Sequence, residues 1–230
     1  MTGTIYDNVR QVRAQIAGAA ERAGRNADEV CIVGVSKTQP IERIREAIKA
    51  GITDIGENRV QEARQKHRDI QQPVRWHLVG HLQTNKIKQA LEIFELIHSV
   101  DSLRLVQEID RQAVALHRQV DVLIQVNTSG ESSKFGIPPD EILAFVEQAL
   151  AYPHVKISGL MTIGAFLPNP EAVRPSFVLL RQIRDKVTAQ RFPNIEMKHL
   201  SMGMTNDFEV AVEEGATLVR IGTAIFGARA

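Results

Sequence analysis

The feature that most constrains the fold is a regular alternation of short apolar runs and amphipathic segments along the 230-residue chain. The apolar runs have the length and composition of buried strands, and the segments between them carry apolar residues at helical spacing. Strands that alternate with helices pair in parallel. The expected strands are 30–36, 52–55, 74–79, 95–98, 120–126, 155–160, 196–200 and 217–221.

Eight strand–helix units in a chain of this length predict an α/β fold of one particular kind, the (β/α)8 TIM barrel. Ahead of the first strand, Ile5, Val9, Val12 and Ile16 form a helical stripe, so we expect an extra N-terminal helix. An open doubly wound sheet is the alternative architecture. Neither a linker nor a low-complexity tract divides the chain, and we expect a single domain over 1–230.

Composition argues against several classes of function. The net charge of +1 argues against a nucleic-acid-binding protein. The single cysteine, Cys31, lies in the first strand, where we interpret it as a small core residue. The sequence shows no signal-peptide h-region and no apolar stretch long enough to span a bilayer, so we expect a cytoplasmic protein without a membrane partner. Ordinarily charged helix faces do not fix the oligomeric state, and a monomer is the expectation.

Lys37 follows the first apolar run, and the period of two in a strand places it on the same side as Val33 and Val35. A lysine aligned with core residues at a strand end suits Schiff-base chemistry, because burial favours the neutral amine that attacks an aldehyde. The alternative is a lysine that extends from the strand end into solvent.

Polar residues collect where the predicted strands end, which is where barrel enzymes place their sites. In barrels, the loops after strands seven and eight often bind phosphate through glycine backbone N–H groups and hydroxyls. Ser201 with Gly203, and Gly222 with Thr223, fit that design, although both segments also read as ordinary glycine-rich turns. A phosphate site there, facing a lysine on strand one, describes a pyridoxal phosphate pocket.

Arg220 shares a strand face with Leu218 and is therefore expected to point into the barrel mouth. A buried arginine needs an acceptor. An arginine facing the ring nitrogen of the cofactor would disfavour ring protonation and weaken carbanion chemistry. The alternative pairs Arg220 with an interior carboxylate such as Glu57.

Six segments of the chain resemble the pyridoxal phosphate homeostasis proteins, the YggS/PROSC family. They span nearly the whole chain in order, and they are specific jointly rather than singly. The segments are VSKT at 35–38, GENRVQE at 56–62, WHLVGHLQTNK at 76–86, GLM at 159–161, LSMGMTND at 200–207 and VRIGTAIFG at 219–227.

The resemblance implies a single-domain barrel similar to the N-terminal domain of alanine racemases, with pyridoxal 5'-phosphate held as a Schiff base on Lys37. It implies a role in the homeostasis of this cofactor and of amino and keto acids, with cofactor-dependent apoenzymes as candidate recipients. We assign no catalytic residue and no metal ligand. The residues expected to contact the cofactor are Lys37, Asn58, His77, Met161, Ser201, Met202, Gly203, Arg220, Gly222 and Thr223.

A carrier without robust activity is favoured over an enzyme, because racemisation on this barrel needs a second base. The two tyrosines, Tyr6 and Tyr152, are expected away from the site. A weak cofactor-dependent racemase or lyase is the alternative. A metal hydrolase is a further one, since histidines near strand ends can bind metal; these are His77, His81, His98 and His199.

Overall fold

A computed structural model describes residues 3–131, 135–165, 167–193 and 195–227. Within these ranges, eight parallel strands form a closed barrel in chain order, with the last strand paired to the first. This confirms the predicted barrel and excludes the open doubly wound sheet. The strands are β1 Cys31–Val35, β2 Asp54–Glu57, β3 Arg75–Leu78, β4 Leu96–Val100, β5 Val120–Gln125, β6 Val155–Met161, β7 His199–Met204 and β8 Leu218–Ile221.

The α-helices of the described residues surround the strands, and none has the length and apolarity that crossing a bilayer requires. The predicted N-terminal helix is present: the Thr4 side chain caps it, and its stripe of apolar residues is buried. It packs beside the last two helices of the chain. The helices are α1 Ile5–Arg22, α2 Ile41–Lys49, α3 Val60–Asp69, α4 Ile87–Leu91, α5 Leu103–Ala115, α6 Ile142–Ala149, α7 Arg174–Ala189, α8 Phe208–Glu213 and α9 Thr223–Phe226.

The apolar core forms two layers, as expected for a barrel wrapped in helices. The larger layer lies between the strands and the helices. The smaller layer fills the barrel interior; it contains Val33, Val79, Leu96, Leu123, Met161 and Leu218. Cys31 and Val35 pack against that inner layer, so the inward face of β1 is the one predicted from the period of two.

The seventh strand lies further along the chain than predicted. We expected 196–200, with Ser201 and Gly203 in the following loop, but β7 spans His199–Met204 and includes both. Gly203 has a positive φ of 87°, and a Cβ there would lie 2.5 Å from the Cβ of Ala211 in α8. This glycine therefore permits close approach of a helix rather than ending the strand.

Candidate functional site

A cavity of about 530 Å³ opens at the carboxyl ends of the strands, within the size range of small-molecule sites. Five of the ten predicted site residues line it: Lys37, Asn58, Arg220, Gly222 and Thr223. They come from three separate parts of the sequence and meet because β8 closes the barrel against β1. The remaining lining residues are Val35, Val79, Ile163, Ala165, Leu167, Met204, Thr205, Asn206 and Asp207.

A group of buried charges on the outer side of β1 holds the segment that carries Lys37. Lys66 of α3 donates to the Ser36 carbonyl at 2.6 Å, to Glu57 at 2.7 Å and to Glu62 at 2.6 Å. Ser36 Oγ donates to Glu57 at 2.5 Å, and the Thr38 backbone N–H donates to Glu62 at 2.6 Å. We call these residues (Ser36, Thr38, Glu57, Glu62 and Lys66) the Lys66 brace. It fixes the backbone on both sides of Lys37.

Glu57 is the most confined charge in the brace. It is fully buried, and its Oε2 atom has no hydrogen-bond partner among the described residues. Burial raises the pKa of Glu57, while Lys66 and Ser36 act in the opposite direction. Because Glu57 faces Lys66, the predicted alternative in which it pairs with Arg220 is wrong.

Arg220 enters the barrel mouth from β8, as its position on the strand predicted, and is only 5% exposed. Its Nη1 donates to Ser201 Oγ at 2.6 Å, and its Nη2 donates to the Thr162 carbonyl at 2.8 Å. Burial lowers its pKa to about 10, so the guanidinium stays charged at neutral pH. Two acceptors occupy two of its five N–H donors, which leaves further donors at a residue that lines the cavity.

The loops after β7 and β8 are tied to each other beside the cavity. The Asp207 carboxylate accepts from the Met204 backbone N–H at 2.6 Å and closes the first loop. Thr205 Oγ1 accepts from the Ala224 N–H at 3.3 Å and joins that loop to α9. Burial raises the pKa of Asp207. Gly222 and Thr223 lie where α9 begins and line the cavity, whereas Ser201 and Gly203, the other predicted phosphate-binding pair, do not.

The other five predicted residues lie outside the cavity lining. Met161 is fully buried in the inner layer, and Met202 is fully buried in the outer layer. Gly203 faces α8, as described above. His77 and Ser201 are buried within the barrel, where Ser201 lies behind Arg220. Contact between these five residues and a bound cofactor stays a prediction.

The four histidines considered as metal ligands do not gather at one point. His77 and His98 are hydrogen-bonded inside the barrel at 2.9 Å. His81 stacks on Phe135 with ring centroids 4.7 Å apart, and His199 begins β7. Across the part of the chain that the structure describes, no group of three or more histidine, cysteine or acidic side chains could hold a metal ion.

Sequence reasoning missed the contribution of Thr205, Asn206 and Asp207, although all three lie in a segment that carried the family resemblance. The error follows from the early end predicted for β7, which placed Ser201 and Gly203 in the loop. A strand extended to Met204 would have identified 205–207 as the loop. Ile163, Ala165 and Leu167 follow β6, and their apolar character gave no signal of a site.

The chain is similar to known proteins in sequence and in fold over nearly its whole length. Residues 5–230 match the family model for the alanine racemase N-terminal domain. A pyridoxal phosphate homeostasis protein of Aquifex aeolicus is 46% identical over 224 residues, 97% of each chain. One from Pseudomonas aeruginosa is 41% identical over 98% of this chain and 96% of its own. PipY of Synechococcus elongatus, solved with PLP bound, is 35% identical with a TM-score of 0.86, covering 97% of this chain and 100% of PipY.

Proposed function

This chain belongs to the family of pyridoxal phosphate homeostasis proteins, and we propose that it binds pyridoxal 5'-phosphate in the cavity at the carboxyl end of the barrel. One observation carries the proposal. Lys37, Arg220 and the Gly222–Thr223 segment, chosen from the sequence for this cofactor, line the same cavity. The relative PipY, whose structure holds PLP, shares the fold over nearly the full length of both chains.

The residues present fit the chemistry of this cofactor. A phosphate is best received by cationic groups, hydroxyls and backbone N–H groups. For the phosphate the cavity offers the Thr205 and Thr223 hydroxyls and the glycine-led start of α9, while Arg220 is expected to face the ring nitrogen. The apolar side chains Val35, Val79, Ile163 and Leu167 supply a surface for an aromatic ring.

When bound, the cofactor supplies an aldehyde that accepts an amine. Lys37 supplies that amine: its nitrogen replaces the aldehyde oxygen, which leaves as water, and a Schiff base joins the two. The Lys66 brace fixes the backbone on both sides of Lys37 through Ser36 and Thr38. Asn58, which follows β2 and lines the cavity, would contact the ligand as well.

We propose that the protein stores and releases the cofactor and has no robust catalytic activity of its own. A racemase needs a second base at the site, and tyrosine supplies it in racemases of this type. Tyr6 is 63% exposed on α1, and Tyr152 packs against the outer core before β6; neither lines the cavity. The second candidate, a weak racemase or lyase, has no residue in the cavity that favours it over this one.

Four further expectations belong to the same proposal. We expect a single domain over 1–230, in keeping with the closed barrel that the described ranges form, and we expect a monomer. Residues 1–2 and 228–230 lie outside the described ranges. The expectation of cofactor-dependent apoenzymes as recipients rests on the family resemblance. The expectation of a cytoplasmic location rests on the sequence pattern described above.

Borohydride reduction followed by peptide mapping tests the proposal. We expect the protein incubated with pyridoxal 5'-phosphate to be yellow, and we expect reduction to fix the adduct on Lys37. In Lys37→Ala the covalent adduct should vanish while some noncovalent binding remains, since hydrogen bonds to charged groups contribute about 1.5–3 kcal/mol each.

The matched control is Lys49→Ala, which removes an exposed lysine at the end of α2. It should retain the adduct in full. A protein that stays colourless after incubation, or an adduct that maps to another lysine, would overturn the assignment.

A further inference from the structure

A line of buried polar side chains runs through the barrel interior and ends at Arg220. Asp54 Oδ1 lies 2.9 Å from His77 Nε2, and His77 Nδ1 lies 2.9 Å from His98 Nε2. His98 Nδ1 lies 2.9 Å from Ser201 Oγ, which accepts from Arg220 at 2.6 Å. The five residues come from β2, β3, β4, β7 and β8 and are at most 5% exposed. We call them the axial chain.

The donor and the acceptor of each hydrogen bond in the axial chain can be assigned one after another, starting at Asp54. Hydrogen bonds from His77, Thr53 and Arg75 overcome the effect of burial and lower the pKa of Asp54, so its carboxylate can only accept. His77 therefore carries its proton on Nε2. In neutral His77, the Nδ1 atom is then an acceptor, and it must receive a proton from His98 Nε2.

The upper half of the chain continues in the same direction. Burial lowers the pKa of His98 well below its usual value, so this ring carries one proton. That proton lies on Nε2, which leaves Nδ1 to accept from the Ser201 hydroxyl. With its hydrogen donated to His98, Ser201 Oγ presents a lone pair to Arg220. Every link then has one donor and one acceptor.

We propose that Asp54, His77, His98 and Ser201 are positioning residues for Arg220 at the cofactor site. The chain commits Arg220 Nη1 to Ser201, while the Thr162 carbonyl holds Nη2, so the guanidinium is fixed where it lines the cavity. Exchanging donor and acceptor in any one of these hydrogen bonds would place two donors or two acceptors opposite each other in a buried site. The inference rests on the proposed function, because the group that Arg220 faces is the cofactor.

The histidine protonation states of the cofactor-free protein test the chain directly. The sequence has seven histidines, so ¹⁵N-histidine spectra at pH 8 are simple enough to assign by single His→Gln variants. From the hydrogen-bond order we expect His77 and His98 each to carry a proton on Nε2 and none on Nδ1. A proton on Nδ1 of either ring would contradict the order of donors and acceptors proposed for the axial chain.

Cofactor affinity tests the positioning role. Ser201→Ala removes the acceptor for Arg220 and the donor to His98, and we expect the cofactor to bind about tenfold or more weakly, as losing a buried charge-assisted hydrogen bond predicts. The matched control is Ser158→Ala, which removes another buried serine hydroxyl bonded to Asp121 and outside the chain. It should bind within about twofold of the wild type, below the cost of one net hydrogen bond.

Two substitutions at His98 distinguish hydrogen bonding that positions Arg220 from the mere filling of space inside the barrel by a side chain. Glutamine offers one amide donor and one acceptor, so His98→Gln should restore most of the affinity, whereas His98→Leu should lose as much as Ser201→Ala. Equal affinity in His98→Gln and His98→Leu would overturn the positioning role. If the wild type does not bind the cofactor, the proposed function is overturned as well. If both histidines carry the expected proton but Ser201→Ala binds the cofactor as tightly as the wild type, only the positioning role is overturned.

Discussion

At the residue scale, the most consequential arrangement is the support given to Lys37 by buried charges that never reach the cavity. Lys66 is 6% exposed and is the only described cation hydrogen-bonded to Glu57. A buried ion pair contributes little net stability relative to apolar residues of the same volume, but breaking one partner is costly. The brace therefore acts mainly by fixing where the Lys37 segment lies.

Removing Lys66 should destabilise the protein strongly. Lys66→Met leaves Glu57 buried without its cation, and we expect a loss of about 3–5 kcal/mol in the free energy of unfolding, measured by urea denaturation. The double variant Lys66→Met/Glu57→Gln removes both charges and should recover part of that loss. If the double variant is no more stable than the single one, the buried charge of Glu57 is not the cause.

At the element scale, β7 packs closely against α8 just before the loop that reaches the cavity. Gly203 has its positive φ at a point where α8 leaves no room for a Cβ, and the register between β7 and β8 shifts between Ser201 and Met204. The irregular strand delivers Thr205 and Asp207 to the cavity. Helix packing thus determines part of the cavity lining.

A pair of glycine substitutions separates this close approach from backbone strain. Gly24 also has a positive φ, 65°, but nothing lies within 4 Å of a Cβ there. Gly24→Ala should cost about 1 kcal/mol of unfolding free energy, the strain of a left-handed conformation. Gly203→Ala should cost about 2–4 kcal/mol, since the same strain adds to overpacking against Ala211. Equal losses in the two variants, measured by urea denaturation, would contradict the packing argument.

At the scale of the whole molecule, barrel closure creates the site. Val33 on β1 is in register with Arg220 on β8, which brings together residues almost 190 positions apart. Among the described lining residues, the chargeable groups are the Lys37 amine, the Arg220 guanidinium and the Asp207 carboxylate, which already accepts from the Met204 backbone N–H. This set suits a protein that holds an aldehyde ligand better than one that moves protons on both faces of a substrate.

Racemisation should therefore be a trace activity of the cofactor-loaded protein. Losing a positioned general base typically lowers a rate by roughly 10²–10⁴-fold. Chiral chromatography of L-alanine incubated with the loaded protein measures the activity, and Lys37→Ala is the control. A Lys37-dependent turnover number near about 10 s⁻¹, typical of enzymes, would contradict the carrier function.

Sequence patterns alone predicted the barrel, its N-terminal helix and the inward direction of Lys37 and Arg220. These depend on periodicity and alternation, which are local properties of the chain. The same reasoning placed Lys37, Asn58, Gly222 and Thr223 at strand ends that the structure brings together at one cavity.

The contacts of the interior polar residues are visible only in the three-dimensional structure. Glu57 pairs with Lys66 rather than with Arg220, and Ser201, which was predicted in a loop, lies in β7. The axial chain joins residues up to 103 positions apart in a single link, His98 to Ser201. Such pairings depend on barrel register and strand irregularities, which are set by long-range packing and leave no periodic signal in the sequence.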